Sequence, residues 1–530
     1  MAFPLPIAVK AIQASDTQHD LSIIIGQSLS SKVFPALTPI LLDVKQYDPR
    51  VGIEPVLMPA DTLPGGRCLF VPSGELDRDY DDVRRFFDIG KAIAKQLVHI
   101  DALNPLVVLE LDEENLLHDA QYRYALENVY LGMCQQLWQP LEARQALNED
   151  DIEPVQSVGL YGLKDSDVMM LRAMEEAKRL TRDLCGTEPE RMAPIGFASY
   201  CQDTFADSQV KVEIIDDIEA MRAEYPCLYA VARASLDVSR HHPRVINLTY
   251  EGEGPIEQTL FLAGKGITYD TGGADLKVGG HMAGMSRDKG GAAAVAGILK
   301  AVQLLKPKGL RVYASIAAVR NSIGADAYVP DEIITSHAGI RVRVGNTDAE
   351  GRMVLTDILS HMREQAQMSV SPQLFSFATL TGHAAVAFGP YTALMENKPA
   401  LLENVSQNII EAGHLWSDPS EQSLVRREDY DFIKPRTKAD DVLSSNNAPS
   451  VSTVRGHQFP MAYLSIASGL DKHDARSHLP LPYTHVDIAG SAVENLDWQH
   501  GKPTAASVSA FVASYILPRI HTSSSAENEH

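Results

Sequence analysis

The chain has 530 residues, 45% hydrophobic and 22% charged, the balance of a globular protein long enough to bury more than one core. Its 47 basic and 69 acidic residues leave a formal charge of -22, which argues against a broad nucleic-acid footprint, since such a surface needs Lys and Arg to displace counterions. Its five cysteines (Cys68, Cys134, Cys185, Cys201 and Cys227) are odd in number and show no CxxC spacing, so neither a disulfide framework nor a thiolate zinc site is expected.

The opening MAFPLPIAVKAIQ carries two prolines and lacks the long apolar core of a secretory signal. LSIIIGQ (21–27), RCLFVPSG (67–74) and PLVVLEL (105–111) read as strands. The stretches 82–100 and 119 to about 147 place apolar residues three and four apart and read as amphipathic helices. Strand–helix alternation of this kind predicts an N-terminal α/β domain over residues 1–165. SDVMMLRAMEEAKRLTRDLCG (166–186) predicts a helix that stops at a glycine, and 166–190 is read as a connector. Residues 191–520 predict a second, larger α/β domain. Its strands are expected at 259–270, 310–319, 373–382 and 484–490, and its helices at 290–305, 352–362 and 504–517. The polar, turn-rich stretch 415–458 reads as loops, and residues 521–530 as a disordered tail. No run reaches the roughly 18 apolar residues of a membrane helix. Free buried thiols and the absence of a signal together predict a cytoplasmic protein with no membrane partner.

The chemistry concentrates in two segments, GKGITYDTGGADLKVGGHMAGMSRDKGG (264–291) and VGNTDAEGR (344–352). On an extended backbone Asp348, Glu350 and Arg352 would share one face. Asp270 ends an apolar strand before Gly272 and Gly273, and Asp288 precedes a helix that opens on two glycines. Ligands of open α/β sheets collect at the carboxyl ends of strands. Four carboxylates gathered there would repel unless cations neutralise them, and two divalent metals are the natural solution. Lys265 lies five residues before Asp270, too early for the same strand face, so a turn is expected to bring it back. HExxH, GxSxG and GxxxxGK[ST] are all absent. A two-metal phosphohydrolase also suits a carboxylate-rich site, although NTDAEGR does not favour it.

These two segments resemble the signature stretches of the leucine aminopeptidase (cytosol aminopeptidase) family. Weaker similarity runs from TRDLCGTEPERMAP (181–194) through ATLTG (378–382) to HVDIAG (485–490). The resemblance implies an N-terminal α/β domain followed by a larger α/β zinc-peptidase domain with a mixed central sheet. It implies hydrolysis of the N-terminal peptide bond of peptides with a free N-terminus, by a water activated between two metals. Lys265, Asp270, Asp288, Asp348 and Glu350 match metal ligands, with zinc at the sites and manganese or magnesium an option at one of them. Lys277 matches the lysine that stabilises the oxyanion, and Arg352 the arginine that holds a bicarbonate acting as general base. Met285, Thr379, Leu380 and Gly382 match positions lining the substrate pocket, and a homohexamer is the implied assembly. Four positions depart from the usual pattern: Asp275 stands where serine is common, His281 for asparagine, Arg320 for glutamate, and His383 for a small apolar residue. Asp275 is expected to tune Lys277. His281 offers an extra metal ligand or a hydrogen-bonding group, and the second is the preferred reading. His485 and Asp487 are expected to support the site rather than to take part in it.

Overall fold

The computed structural model describes residues 3–13, 15–111, 120–147, 152–448 and 452–520. The described residues form two compact units: those up to 175 with 414–417, and 176–413 with 418–520. The helix Asp165–Gly186 carries the chain from the first unit into the second. The tail 521–530 lies outside the described residues.

The first unit holds a six-stranded sheet. Its spatial order is Leu5–Val9, Ser157–Tyr161, Pro105–Glu110, Leu21–Gly26, Arg67–Pro72 and Val56–Pro59. Every pair is parallel except the last. Leu21–Gly26 is buried along its whole length, as expected of a strand covered on both faces. The predicted helix from 119 to 147 is two helices, Ala125–Leu137 and Leu141–Ala146. Pro140 separates them, because a proline that starts a helix cannot supply the N–H that would continue the preceding one.

The second unit is built on an eight-stranded mixed sheet. Four neighbouring strands at its centre run parallel: Tyr483–Asp487, Pro372–Ala378, Gln258–Asp270 and Leu310–Asn321. Their carboxyl ends therefore share one edge of the sheet, and each stops on or beside a polar residue: Asp487, Thr379, Asp270 and Asn321. The helices Gly290–Leu305 and Glu350–Ala366 pack against this centre. A continuous apolar cluster including Phe261, Val354, Leu374 and Tyr463 fills the space between layers. All five cysteines are buried, and among the described residues no two are joined as a disulfide.

Three sequence expectations change here. The stretch 415–458 is not all loop, since it contains the strand Ser420–Gln422, the helix Arg427–Phe432 and the short strand Val442–Leu443. The closing helix is one α-turn, Val508–Phe511, then a π-helical turn, Val512–Ile516, then a 3-10 turn, Leu517–Arg519, where Pro518 removes a backbone donor. Asp348, Glu350 and Arg352 do not lie on an extended strand. Thr347–Ala349 forms a 3-10 turn and Glu350 opens the helix to Ala366.

Candidate active site

Lys265 reaches the carboxyl edge of the sheet by a β-bulge rather than by a turn. Lys265 pairs with Ala317 and Ile267 with Val319, but Tyr269 then pairs with Arg320 and Asp270 with Asn321. Thr268 is the extra residue. It converts a five-residue separation into four steps of register, so Lys265 and Asp270 share one face. Beyond Asp270 the chain turns sharply at Gly272, whose φ of +87° favours glycine. A Cβ there would also stand 2.5 Å from the Asp275 carbonyl oxygen.

The expected metal-binding, catalytic and substrate-binding residues all line one cavity of about 660 Å³, with Asp275, His281 and His383, whereas Arg320, His485 and Asp487 do not line it. Asp270, Asp288 and Glu350 are buried and offer carboxylate oxygens that all lie within 4.8 Å of one another. Lys265 stands among them, with Nζ 2.8 Å from an Asp288 oxygen and 2.9 Å from Glu350 Oε1, and donates to the Thr379 carbonyl at 2.9 Å. Asp348 is not in that tight group; Lys277 joins it to the rest, lying 2.5 Å from Asp348 Oδ1 and 2.9 Å from Asp270 Oδ2. Glu350 Oε2 is buried and has no hydrogen-bond partner among the described residues.

The electrostatics follow from burial. Desolvation disfavours both ammonium groups, yet the surrounding carboxylates outweigh it and hold the Lys265 and Lys277 pKa values above the ordinary lysine range. Burial pushes Asp288 well above the usual carboxylate range, and burial with the Asp270 charge pushes Asp348 up to about 7. Two cations thus neutralise a crowded acidic site, each shared between two carboxylates. Divalent metals fit the same donor set, since hard oxygens converge and one buried carboxylate oxygen is unsatisfied.

Arg352 is buried at the start of its helix. It donates to the Ser444 carbonyl at 2.8 Å and stacks over Phe459 at 4.9 Å, while Nε has no hydrogen-bond partner among the described residues. Burial lowers its pKa to about 10, which leaves it charged at neutral pH. Asp487 supports the wall opposite: its carboxylate accepts from Leu380 N at 3.1 Å and from Thr381 Oγ1 at 2.7 Å. His485 is buried, with Nδ1 2.8 Å from Ser376 Oγ.

The four unusual positions take separate places. Asp275 does not engage Lys277; it binds Thr347, because the turn at Gly272 aims it across to the second motif. His281 is exposed and stands outside the carboxylate cluster. Arg320 stacks over Tyr269 at 5.0 Å and donates to Ser322 Oγ at 2.9 Å. The His383 ring packs against Gly456, where an added Cβ would stand 2.2 Å from it.

Sequence reasoning missed Asn321, which donates to Asp270 Oδ1 at 2.8 Å and to the Thr347 carbonyl at 3.2 Å. It also missed Tyr328, whose hydroxyl donates to the same carbonyl at 2.8 Å. The cavity wall at Ser445, Asn446 and Asn447 belongs to a stretch read only as loop. A polar residue closing an apolar strand was the available signal for Asn321; nothing local marks the others.

Fold and site define a class: an α/β protein with a buried cluster of carboxylates and lysines, suited to divalent cations, at the carboxyl edge of its central parallel strands. Residues 179–512 match the catalytic domain of the cytosol aminopeptidase family. A putative aminopeptidase of Caenorhabditis elegans is 34% identical over 525 residues, covering 97% of this chain and 98% of that protein. A probable cytosol aminopeptidase of Persephonella marina is 29% identical over 428 residues, covering 80% and 79%. Among solved structures, the bottromycin maturation enzyme BotP in complex with Mn superposes with a TM-score of 0.73 at 21% identity, covering 93% of this chain and 98% of that one, a likeness of fold. The chain belongs to the cytosol aminopeptidase family and is a metal-dependent aminopeptidase.

Proposed function

We propose that Lys265, Asp270, Asp288, Asp348 and Glu350 hold two divalent cations, with Lys277 and Arg352 as the catalytic side chains. The observation that carries this reading is the sharing of four carboxylates by two ammonium groups in one cavity. Zinc suits a mixed amine and carboxylate set, with manganese or magnesium at one position. Cations held there would supply Lewis acidity toward the scissile carbonyl and the attacking water, and a site for the substrate's free α-amine that would confine cleavage to the N-terminus.

The chain's own residues supply the rest. Once cations occupy the carboxylates, Lys277 loses its two acidic partners and its ammonium is available to the charge developing on the carbonyl oxygen. Donors of this kind are commonly worth about 3 kcal/mol in hydrolases. Lys265 serves as a ligand only as the neutral amine, so cation binding must displace its proton. Arg352, with Nε directed to no protein acceptor, is suited to an anion such as bicarbonate that takes the proton of the attacking water. Met285, Thr379, Leu380 and Gly382 form the wall that receives the N-terminal side chain. Thr379 also donates to Asp288 Oδ1 at 2.7 Å, which couples that wall to the cation site. By family resemblance the chain is a cytoplasmic homohexamer, an assembly that light scattering would read directly.

The test is an aminoacyl-amide assay on chelated protein. Zinc or manganese should restore hydrolysis of a substrate with a free α-amine and leave its N-acetylated form intact. Hydrolysis of the acetylated substrate, or no recovery with either metal, would overturn the reading.

A further inference from the structure

A second cluster of metal-binding side chains lies on another part of the same unit. Glu224, His337 and His361 each offer a donor atom, and these atoms all lie within 4.8 Å of one another. They come from three segments: the end of the helix Ile218–Glu224, the turn between Thr335 and Arg341, and the helix Glu350–Ala366. We propose that these three residues bind a borderline divalent cation of the zinc type, independently of the catalytic cavity.

The hydrogen bonds of the ring nitrogens support it. His337 Nδ1 lies 2.9 Å from the buried Ser360 hydroxyl, and its Nε2 faces Glu224 Oε2 at 3.7 Å. His361 Nε2 lies 3.0 Å from the Glu224 backbone oxygen. A carbonyl only accepts, so that nitrogen carries the proton and Nδ1 keeps its lone pair. Histidine ligands characteristically have one ring nitrogen fixed by an oxygen in this way, which sets the tautomer of the other.

The cluster is also built in advance. The buried carboxylate of Asp357 accepts from His337 N at 3.0 Å, Cys227 N at 2.7 Å and Leu228 N at 3.3 Å. Asp357 lies one turn before His361 on the same helix face, and Cys227 lies three residues after Glu224. One side chain therefore ties together all three ligand-bearing segments. The His361 ring lies against His337, at 3.8 Å between centroids, and against Tyr225, at 4.6 Å, so the two imidazoles must splay apart for both lone pairs to meet one ion. Bonds of about 2.0–2.2 Å around a tetrahedral ion separate its donors by roughly 3.4 Å, so binding draws these donor atoms closer together than they stand here. Two histidines and one glutamate match the ligand type of three-residue zinc sites, with a position left for water.

Elemental analysis of the full chain, loaded with excess Zn²⁺ and dialysed, tests this. Glu224→Gln and His361→Gln should each carry one zinc equivalent fewer than wild type, with kcat on an aminoacyl amide unchanged. Asp348→Ala should keep this equivalent while losing catalytic metal, which separates this proposal from that for the active site. Glu224 is exposed, so its variant folds even if the His361 variant does not. Equal zinc content in wild type and Glu224→Gln would overturn the proposal, as would a Glu224→Gln chain that loses its activity along with its zinc.

Discussion

Asp275 and Thr347 bind each other at three points. Asp275 Oδ2 lies 2.7 Å from Thr347 N and 3.1 Å from its hydroxyl, while Asp275 N donates to Thr347 Oγ1 at 2.8 Å. The Thr347 hydroxyl also lies 2.7 Å from the Gly272 carbonyl. This latch joins the loop that presents Lys277 to the turn that presents Asp348 and Glu350.

Asp275→Ala should therefore misplace Lys277 more than it perturbs the fold. Charge-assisted hydrogen bonds at a partly exposed site are worth about 1–2 kcal/mol. The expected result is a roughly tenfold lower kcat with metal content retained, read by steady-state kinetics beside elemental analysis. Unchanged kcat would show that the latch does not position the lysine.

Gly351→Ala should expel Lys265. The added Cβ would stand 2.5 Å from Lys265 Cε and 2.8 Å from Leu380 Cδ1, and Lys265 Nζ is held by three oxygen-bearing neighbours and cannot swing away. Overpacking of this kind costs about 1–3 kcal/mol, more than the roughly 1 kcal/mol an alanine gains over glycine within a helix. Thermal melting should show the loss of stability, and metal analysis a depleted site.

Acid stability should depend on His485 and His457. Burial lowers the His485 pKa to about 3 and the His457 pKa to about 4. Both are depressed in the folded state, so between the unfolded value of about 6.5 and these values the unfolded chain binds protons that the folded chain refuses. Their contribution is complete above about pH 6.5 and is lost as pH falls toward 4 and then 3. His457→Gln should flatten the decline between pH 6.5 and 4 in denaturant titrations. An identical slope in the variant would assign that decline to other groups.

The extent to which the sequence revealed the site differs from residue to residue. Asp270, Asp288, Asp348 and Glu350 stood out because carboxylates beside apolar strands and glycine turns are costly without cations. The bulge at Thr268 was not legible, because an extra residue in a parallel pair leaves no mark on a run buried almost throughout, as 259–269 is. The alternation argument for Asp348, Glu350 and Arg352 reached the right grouping by the wrong geometry. A helix N-terminus brings the first two to the cavity, and Arg352 reaches it from within the first turn. The long strands and helices of the second unit were clear from periodicity. The edge strand Lys211–Ile215 and its neighbour Arg244–Glu251 were missed, since their pairing is set by partners distant in the chain. Asn321 and Tyr328 act through Thr347, a relation that exists only once the sheet is assembled.

The central claim is a division of labour between groups that hold cations and a lysine that meets the developing charge. Metal stoichiometry measured beside kcat for Lys277→Ala and Asp348→Ala tests it most directly. The account predicts that Lys277→Ala keeps its catalytic metal and loses kcat by about a hundredfold or more, the scale of a lost oxyanion donor. Asp348→Ala should lose metal and activity together. A Lys277→Ala chain that sheds metal as readily as Asp348→Ala, or that keeps both metal and full activity, would contradict it.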